Sequence, residues 1–387
     1  MTHPVSARAR AIAPNPLRAL FPIAAREGMV SLANGHPSPD ACDVEGLREA
    51  AALASGDAMA WRYGTTPGDP ELREALAQLS GDDPDAVIVT SGAQQGIDLA
   101  VRALADPDDA IGVPAAIYPA VLSVLAANGA RPVALGEDGE GVTPEALKGA
   151  LAGGLSALYL TPTFGNPTGT VMGVERRHAI LRLCAGAGVP VVEDDPYRDL
   201  WFETPPPPSM WQMAEREGAT VVALRSASKI VAPGLRLGWT LAPPPLRGGI
   251  VALKQASDLQ ASGLAQRTLV RYLASGRLDA WLPRVRALYR GRHDALVAGL
   301  RGNGLDARPV SGGMFVWLRL PDEADPAALF DRAVERGTLF APGHGFAAGP
   351  EVALEPHARL CFVTQNEAGI AQACERLGMA LADVRAG

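Results

Sequence analysis

Thr220-Val221-Val222-Ala223-Leu224-Arg225-Ser226-Ala227-Ser228-Lys229-Ile230-Val231-Ala232-Pro233-Gly234-Leu235-Arg236 runs from a β-branched segment into a loop of small residues that holds a lysine. Thr220 to Leu224 has the composition of a buried strand, so Lys229 falls just past a strand end, where a lysine is not an ordinary solvated charge. Ser228 and Ser226 lie one and three residues before it, and Arg236 lies seven after it. Two hydroxyls and a guanidinium can clamp a phosphate beside a reactive amine, which suits a cofactor carrying both an aldehyde and a dianion. Ser-x-Ser-Lys in a loop also arises by chance, so the rest of the chain has to decide.

Upstream, Ala86-Val87-Ile88-Val89-Thr90 reads as a strand that Ser91-Gly92-Ala93-Gln94-Gln95-Gly96 turns into the amphipathic helix Ile97 to Leu104. Strand patterns at Ala110 to Val113, Arg131 to Leu135, Ala157 to Thr161, Val189 to Glu193 and Val221 to Leu224 alternate with helices from Tyr118, Pro144 and Val174. The alternation predicts an α/β fold: a large domain with a mostly parallel sheet flanked by helices on both faces. Helical patterns from Leu246 to Leu300 lead to strand-like Gly312 to Leu318 and Arg359 to Val363, which alternate with helices from Pro326 and Glu367 and predict a smaller C-terminal α/β domain. The organisation expected is an N-terminal arm joining the small domain (1–42), a large domain (43–255), and an interdomain helix with the small domain (256–387). Thr204-Pro205-Pro206-Pro207-Pro208-Ser209 reads as a stiff surface excursion without chemistry.

Ligands of such sheets bind outside the carboxyl ends of the strands. The turn at Ser91-Gly92-Ala93-Gln94 aims free N–H groups and the positive end of a helix dipole at an anion, although such turns also serve packing. Thr161-Pro162-Thr163-Phe164-Gly165-Asn166-Pro167-Thr168-Gly169 offers a side-chain amide in a proline-stiffened loop. After Val191-Val192-Glu193 come Asp194, Asp195, Pro196 and Tyr197; a carboxylate at a buried strand end needs a cation or a strong donor, and a protonated pyridine nitrogen would be one. Tyr63 lies in the loop Trp61 to Pro70, and Gly35 in an extended run, where it either admits a ligand to the backbone or simply turns the chain.

With 387 residues, 48% of them hydrophobic, and a net charge of −7 without a basic block, the chain is expected to be a soluble globular protein that acts on small molecules rather than nucleic acid. No run reaches membrane-spanning length, and the N-terminus lacks the apolar core of a signal peptide. Cys42, Cys184, Cys361 and Cys374 follow no metal-ligand spacing, so the expectation is free thiols, a cytoplasmic location and no zinc.

Taken together, the Tyr63-Gly64 loop, Ser91-Gly92-Ala93-Gln94-Gln95, Tyr118-Pro119, Asn166-Pro167-Thr168-Gly169, Asp194-Asp195-Pro196-Tyr197, Ser226-x-x-Lys229, Arg236 and Arg359 resemble, over nearly the whole chain, the fold-type I pyridoxal-phosphate enzymes of the class I and II aminotransferase branch. The resemblance implies an aspartate-aminotransferase-like fold, pyridoxal 5'-phosphate as cofactor, and a homodimer with shared sites. Lys229 would bind the cofactor aldehyde and shuttle the substrate proton. Asp194 would hold the pyridine nitrogen protonated, Asn166 and Tyr197 would bond the ring oxygen, and Tyr118 would stack on the ring. Ser91, Gly92, Ala93, Gln94, Ser226 and Arg236 would surround the phosphate, with Tyr63 reaching that of the neighbouring subunit. Arg359 would pair with the substrate α-carboxylate, supported by Gly35 and Asn166, while Asp195 is structural and Phe346 a pocket wall. Two departures, Arg225 and the loop Val113 to Ile117, leave the substrate side chain open. The expected reaction is amino transfer between an amino acid and a 2-oxo acid; lyases, cyclases, oxidases and cofactor-bound regulators keep the same cofactor shell, the last disfavoured because no DNA-binding module precedes the arm.

Overall fold

The computed structural model describes residues 4–354 and 356–386. Seven strands form the main sheet: β1 (Val87–Thr90), β2 (Ala110–Pro114), β3 (Arg131–Leu135), β4 (Ala157–Leu160), β5 (Val191–Asp194), β6 (Val221–Ser226) and β7 (Gly238–Leu241), in the spatial order β1-β7-β6-β5-β4-β2-β3. Neighbours from β6 through to β3 pair in parallel. The sheet expected from the strand–helix alternation is therefore present, with one strand that the alternation does not announce. β7 inserts antiparallel between β1 and β6. It has four residues, opens on a glycine and follows β6 with only the short 3-10 turn Pro233–Leu235 between them, so no periodic pattern marks it. Gly238 is required there: a Cβ at that position would lie 2.7 Å from the Arg225 carbonyl oxygen and 2.8 Å from the Ala93 nitrogen.

Alternate residues of the central strands feed two different cores, as the period of two demands. Tyr159, Val192, Val222 and Leu224 pack with Ile97, Ala100 and Val101 of the helix Ala93–Leu104. Leu158, Val191 and Val221 pack with Ile180, Leu181 and Cys184 of the helix Val174–Ala187. Each fully buried Leu, Ile or Val contributes about 1.5–3 kcal/mol, so helices on both faces are what keep these continuous apolar strands out of water.

A second, three-stranded sheet comprises β8 (Phe315–Arg319), β9 (Ala341–Pro342) and β10 (His357–Cys361), with β10 in the middle and every pairing antiparallel. The helices Pro326–Glu335 and Glu367–Ala386 cover it, and the 26-residue helix Arg277–Gly302 packs against the second of these. The N-terminal segment joins this smaller body: Val30 and Ser31 pair in parallel with Thr338 and Leu339, and the Cys361 N–H donates to the Leu32 carbonyl at 2.7 Å. That leaves Ala33 to Gly35 beside the end of β10. Among the described residues no helix is long and apolar enough to cross a membrane, and no His, Cys, Asp and Glu group could hold a metal ion.

Candidate active site

Apart from Ser91 and Tyr63, the candidate residues sit where the sheet ends or where the arm and the small sheet meet it. Lys229 follows β6; its half-buried side chain reaches the Gly35 carbonyl at 3.4 Å and lies 5.9 Å from the centre of the Tyr197 ring. Burial pulls its amine down to about 8, and the neighbouring Arg359 and Arg236 act in the same direction, against Cys361 and Asp194. A lysine poised there exchanges protons near neutral pH.

Asp194 ends β5 and is buried. Its Oδ2 accepts from the Tyr159 hydroxyl at 2.5 Å, while Oδ1 has no hydrogen-bond partner among the described residues. Burial pushes this carboxyl up to about 6 despite the Tyr159 bond. Asn166, in the loop after β4, bonds in two directions: Oδ1 accepts from Arg359 Nη1 at 2.9 Å, and Nδ2 donates to the Tyr197 hydroxyl at 3.4 Å. Arg359 enters from β10, fully buried, with its guanidinium 4.4 Å from the Phe315 ring centre and 4.8 Å from that of Phe346. Nη2 donates to the Ala33 carbonyl at 2.6 Å, and Nε has no partner among the described residues. A Cβ on Gly35 would stand 3.3 Å from Phe315 and 3.5 Å from Arg359 Nη2, so a small residue here keeps the backbone close to both. Tyr118 caps the helix Pro119–Asn128; burial raises its phenol, with Arg359, Asp194 and Arg236 near enough to act on it.

The turn between β1 and its helix carries Gly92 with φ +84, and a Cβ added there would come within 2.6 Å of Arg236 Nη2. Ala93 and Gln94 open the helix, so their N–H groups lack acceptors within it. Arg236 Nη1 lies 3.5 Å from the Ser228 hydroxyl, and the Ser226 hydroxyl accepts from the Ser228 N–H at 3.3 Å. This cradle of small residues, free N–H groups and one guanidinium fits a phosphate, and the unpartnered Asp194 Oδ1 fits a protonated ring nitrogen.

Two of the sequence candidates stand apart. The Ser91 hydroxyl donates to Asp258 Oδ2 at 3.0 Å, which ties it to the Lys254–Asp258 ion pair behind the turn. Tyr63 is 86% exposed, and no hydrogen bond among the described residues joins it to the cluster. Arg225, the departure that left the substrate side chain open, is buried on the far face of the sheet against Glu193 and Asp195. Tyr159 and Phe315 escape the sequence reading because both look like core residues; the available signal was a hydroxyl on an otherwise aliphatic central strand, which must find a partner.

An amine, a buried carboxyl, a buried guanidinium and a turn of free N–H groups gathered in this way fit the chemistry of an enzyme that works on amino acids through a phosphorylated aldehyde. The model of the family described as aminotransferase class I and II matches residues 27–377. The chain is 34% identical over 374 residues to the 2-aminoadipate transaminase of Thermus thermophilus, covering 94% of this chain and 93% of that protein. To aromatic-amino-acid aminotransferase 1 of Thermococcus litoralis it is 32% identical over 380 residues, covering 93% and 90%. The crystal structure of LysN, the α-aminoadipate aminotransferase of Thermus thermophilus complexed with N-(5'-phosphopyridoxyl)-L-leucine, matches with a TM-score of 0.91 at 32% identity over 99% of this chain and 98% of that one. The chain belongs to the class I and II aminotransferase family.

Proposed function

We propose that Lys229 holds pyridoxal phosphate and moves the proton at the substrate Cα, with Asp194 at the ring nitrogen, Asn166 and Tyr197 at the ring oxygen and Tyr118 over the ring. The observation that carries this reading is the buried Asp194 Oδ1, without a donor among the described residues, near a lysine whose amine burial pulls down to about 8. The activity is amino-group transfer between an amino acid and a 2-oxo acid, and the cofactor is pyridoxal phosphate. Bound, that cofactor supplies an electron sink that weakens the Cα–H bond. Gly92, Ala93, Gln94, Ser226 and Arg236 hold its phosphate, while Ser91 braces the turn through Asp258. Arg359 takes the α-carboxylate: Phe315 and Phe346 fix its plane, and Asn166 and Ala33 fix its fork, so the ordering entropy of the side chain is spent before substrate arrives.

The reading extends to a homodimer in which the exposed Tyr63 reaches the phosphate held by the partner subunit. It also extends to the cytoplasm, which suits four unpaired cysteines.

The test is a panel of amino acids, including 2-aminoadipate and the aromatic residues that name the relatives, given to holoenzyme without an acceptor. One equivalent of 2-oxo acid and of pyridoxamine phosphate per site is expected, reversed by 2-oxoglutarate or pyruvate. Repeated turnover that releases ammonia or consumes oxygen would replace transfer by elimination or oxidation, and binding without turnover across the panel would point to a regulator.

A further inference from the structure

Three carboxyls follow one another at the end of β5: Glu193, Asp194 and Asp195. Strand alternation puts Glu193 and Asp195 on the face opposite Asp194. The register sets Glu193 beside Ala223 and Asp194 beside Leu224, so Arg225 shares the face of Glu193 and Asp195. There, Arg225 Nη2 lies 3.5 Å from Glu193 Oε2 and Nη1 lies 3.6 Å from Asp195 Oδ2. Arg177 stands 3.6 Å from Glu193 Oε1, Arg198 stands 3.0 Å from Asp195 Oδ2, and the N–H groups of Met210 and Trp211 donate to Glu193 at 2.7 and 3.2 Å. Uncompensated, two buried anions this close would disfavour the charged form of Asp194. Asp195 pushes the Asp194 carboxyl up and Arg225 pulls it down. On the other face the phenol of Tyr159, a residue of β4, occupies Oδ2, and Oδ1 has no donor among the described residues.

We propose that Tyr159 and Arg225 are positioning residues for Asp194: the phenol takes Oδ2 and so turns Oδ1 toward the ring nitrogen, and Arg225 offsets the two carboxylates behind it so that Asp194 stays anionic. The inference rests on the reading that Asp194 meets the ring nitrogen. It also gives the unusual Arg225 a purpose unconnected with the substrate side chain.

The experiment titrates apoenzyme by absorbance with pyridoxal phosphate and, separately, with its 1-deaza analogue, in which carbon replaces the ring nitrogen. Tyr159→Phe and Arg225→Met should each weaken pyridoxal phosphate roughly tenfold while holding the analogue within about twofold, the size expected for a lost hydrogen bond or charge acting on a charged group. Arg225→Lys should recover most of the affinity. Equal losses for both ligands, or no loss for either, would overturn the proposal. Asp194→Asn serves as the control. If it too leaves the preference for pyridoxal phosphate over the analogue intact, the reading of Asp194 itself fails; if it abolishes that preference while the two variants keep it, only the present inference fails. Should Arg225→Met not fold, Tyr159→Phe and Arg225→Lys decide the matter, with thermal melting of each variant as the check on folding.

Discussion

Asn166 Oδ1 accepts a hydrogen bond from Arg359 Nη1 at 2.9 Å, a contact across 193 positions of sequence that joins a loop of the large sheet to the central strand of the small one. On the proposed reading, one bond thus aligns the group assigned to the cofactor ring with the group assigned to the substrate carboxylate. Arg359→Lys replaces a planar fork by a point charge and should weaken amino-acid binding by roughly 2–3 kcal/mol, without affecting amines that lack a carboxylate. Comparing KM for the two substrate types checks this; equal losses would make Arg359 structural.

Reduction of the holoenzyme with borohydride should fix the pyridoxyl group on Lys229, and peptide mapping that finds it on Lys148 or Lys254 would refute the assignment. Burial lowers the Lys229 amine from 10.5 to about 8. The neutral fraction, and with it the rate at which apoenzyme takes up cofactor, should therefore rise about fivefold between pH 7 and pH 8 and level off near pH 9. Stability has the same sign: between pH 8 and 10.5 the unfolded chain binds more protons at this position, so stability contributed by Lys229 grows as pH rises through that window. Lys229→Met should flatten the slope in urea titrations of the apoprotein.

Gly238→Ala forces a methyl group against the Arg225 carbonyl, the Ala93 nitrogen and the Gly92 carbonyl carbon, all backbone atoms within 2.9 Å. Backbone cannot move aside as a side-chain tip can. A loss of roughly 2–4 kcal/mol in chemical denaturation is expected, together with weaker cofactor binding, because the displaced turn is the one that would receive the phosphate. Unchanged stability would show that β7 can shift outward.

Tyr63→Phe should weaken cofactor affinity only if a second subunit brings the hydroxyl to the site, since within one chain Tyr63 stands exposed. Sedimentation of holoenzyme should give a dimer. A monomer with full cofactor occupancy and activity would remove both the shared site and the role of Tyr63.

Much of the fold was legible because its signals are local. β-branched runs alternating with amphipathic stretches announce parallel strands and their covering helices. The short β7 was not legible, since four residues opening on Gly238 carry no period and acquire strand geometry only by lying between β1 and β6. The proline run at Pro205 to Pro208 reads as an excursion, yet Arg198 bonds the Pro207 carbonyl, and Ser209 forms a capping box on the helix whose first N–H groups hold Glu193.

The sequence by itself determined which residues stand at strand ends, because the position of a residue relative to a hydrophobic run depends on its neighbours alone: Lys229 after Leu224, Asp194 after Val192, Asn166 after Leu160. Only the tertiary structure decided which of those ends converge and which face each side chain takes. The Tyr159 hydroxyl on Asp194 and the pairing of Arg225 with Glu193 depend on the order β6-β5-β4 and on its register. Shifting a strand by one residue would exchange the two faces, leaving Arg225 where Leu224 packs and Asp194 among the buried arginines. That choice is made by the burial of both faces along the whole sheet, a property no single segment contains.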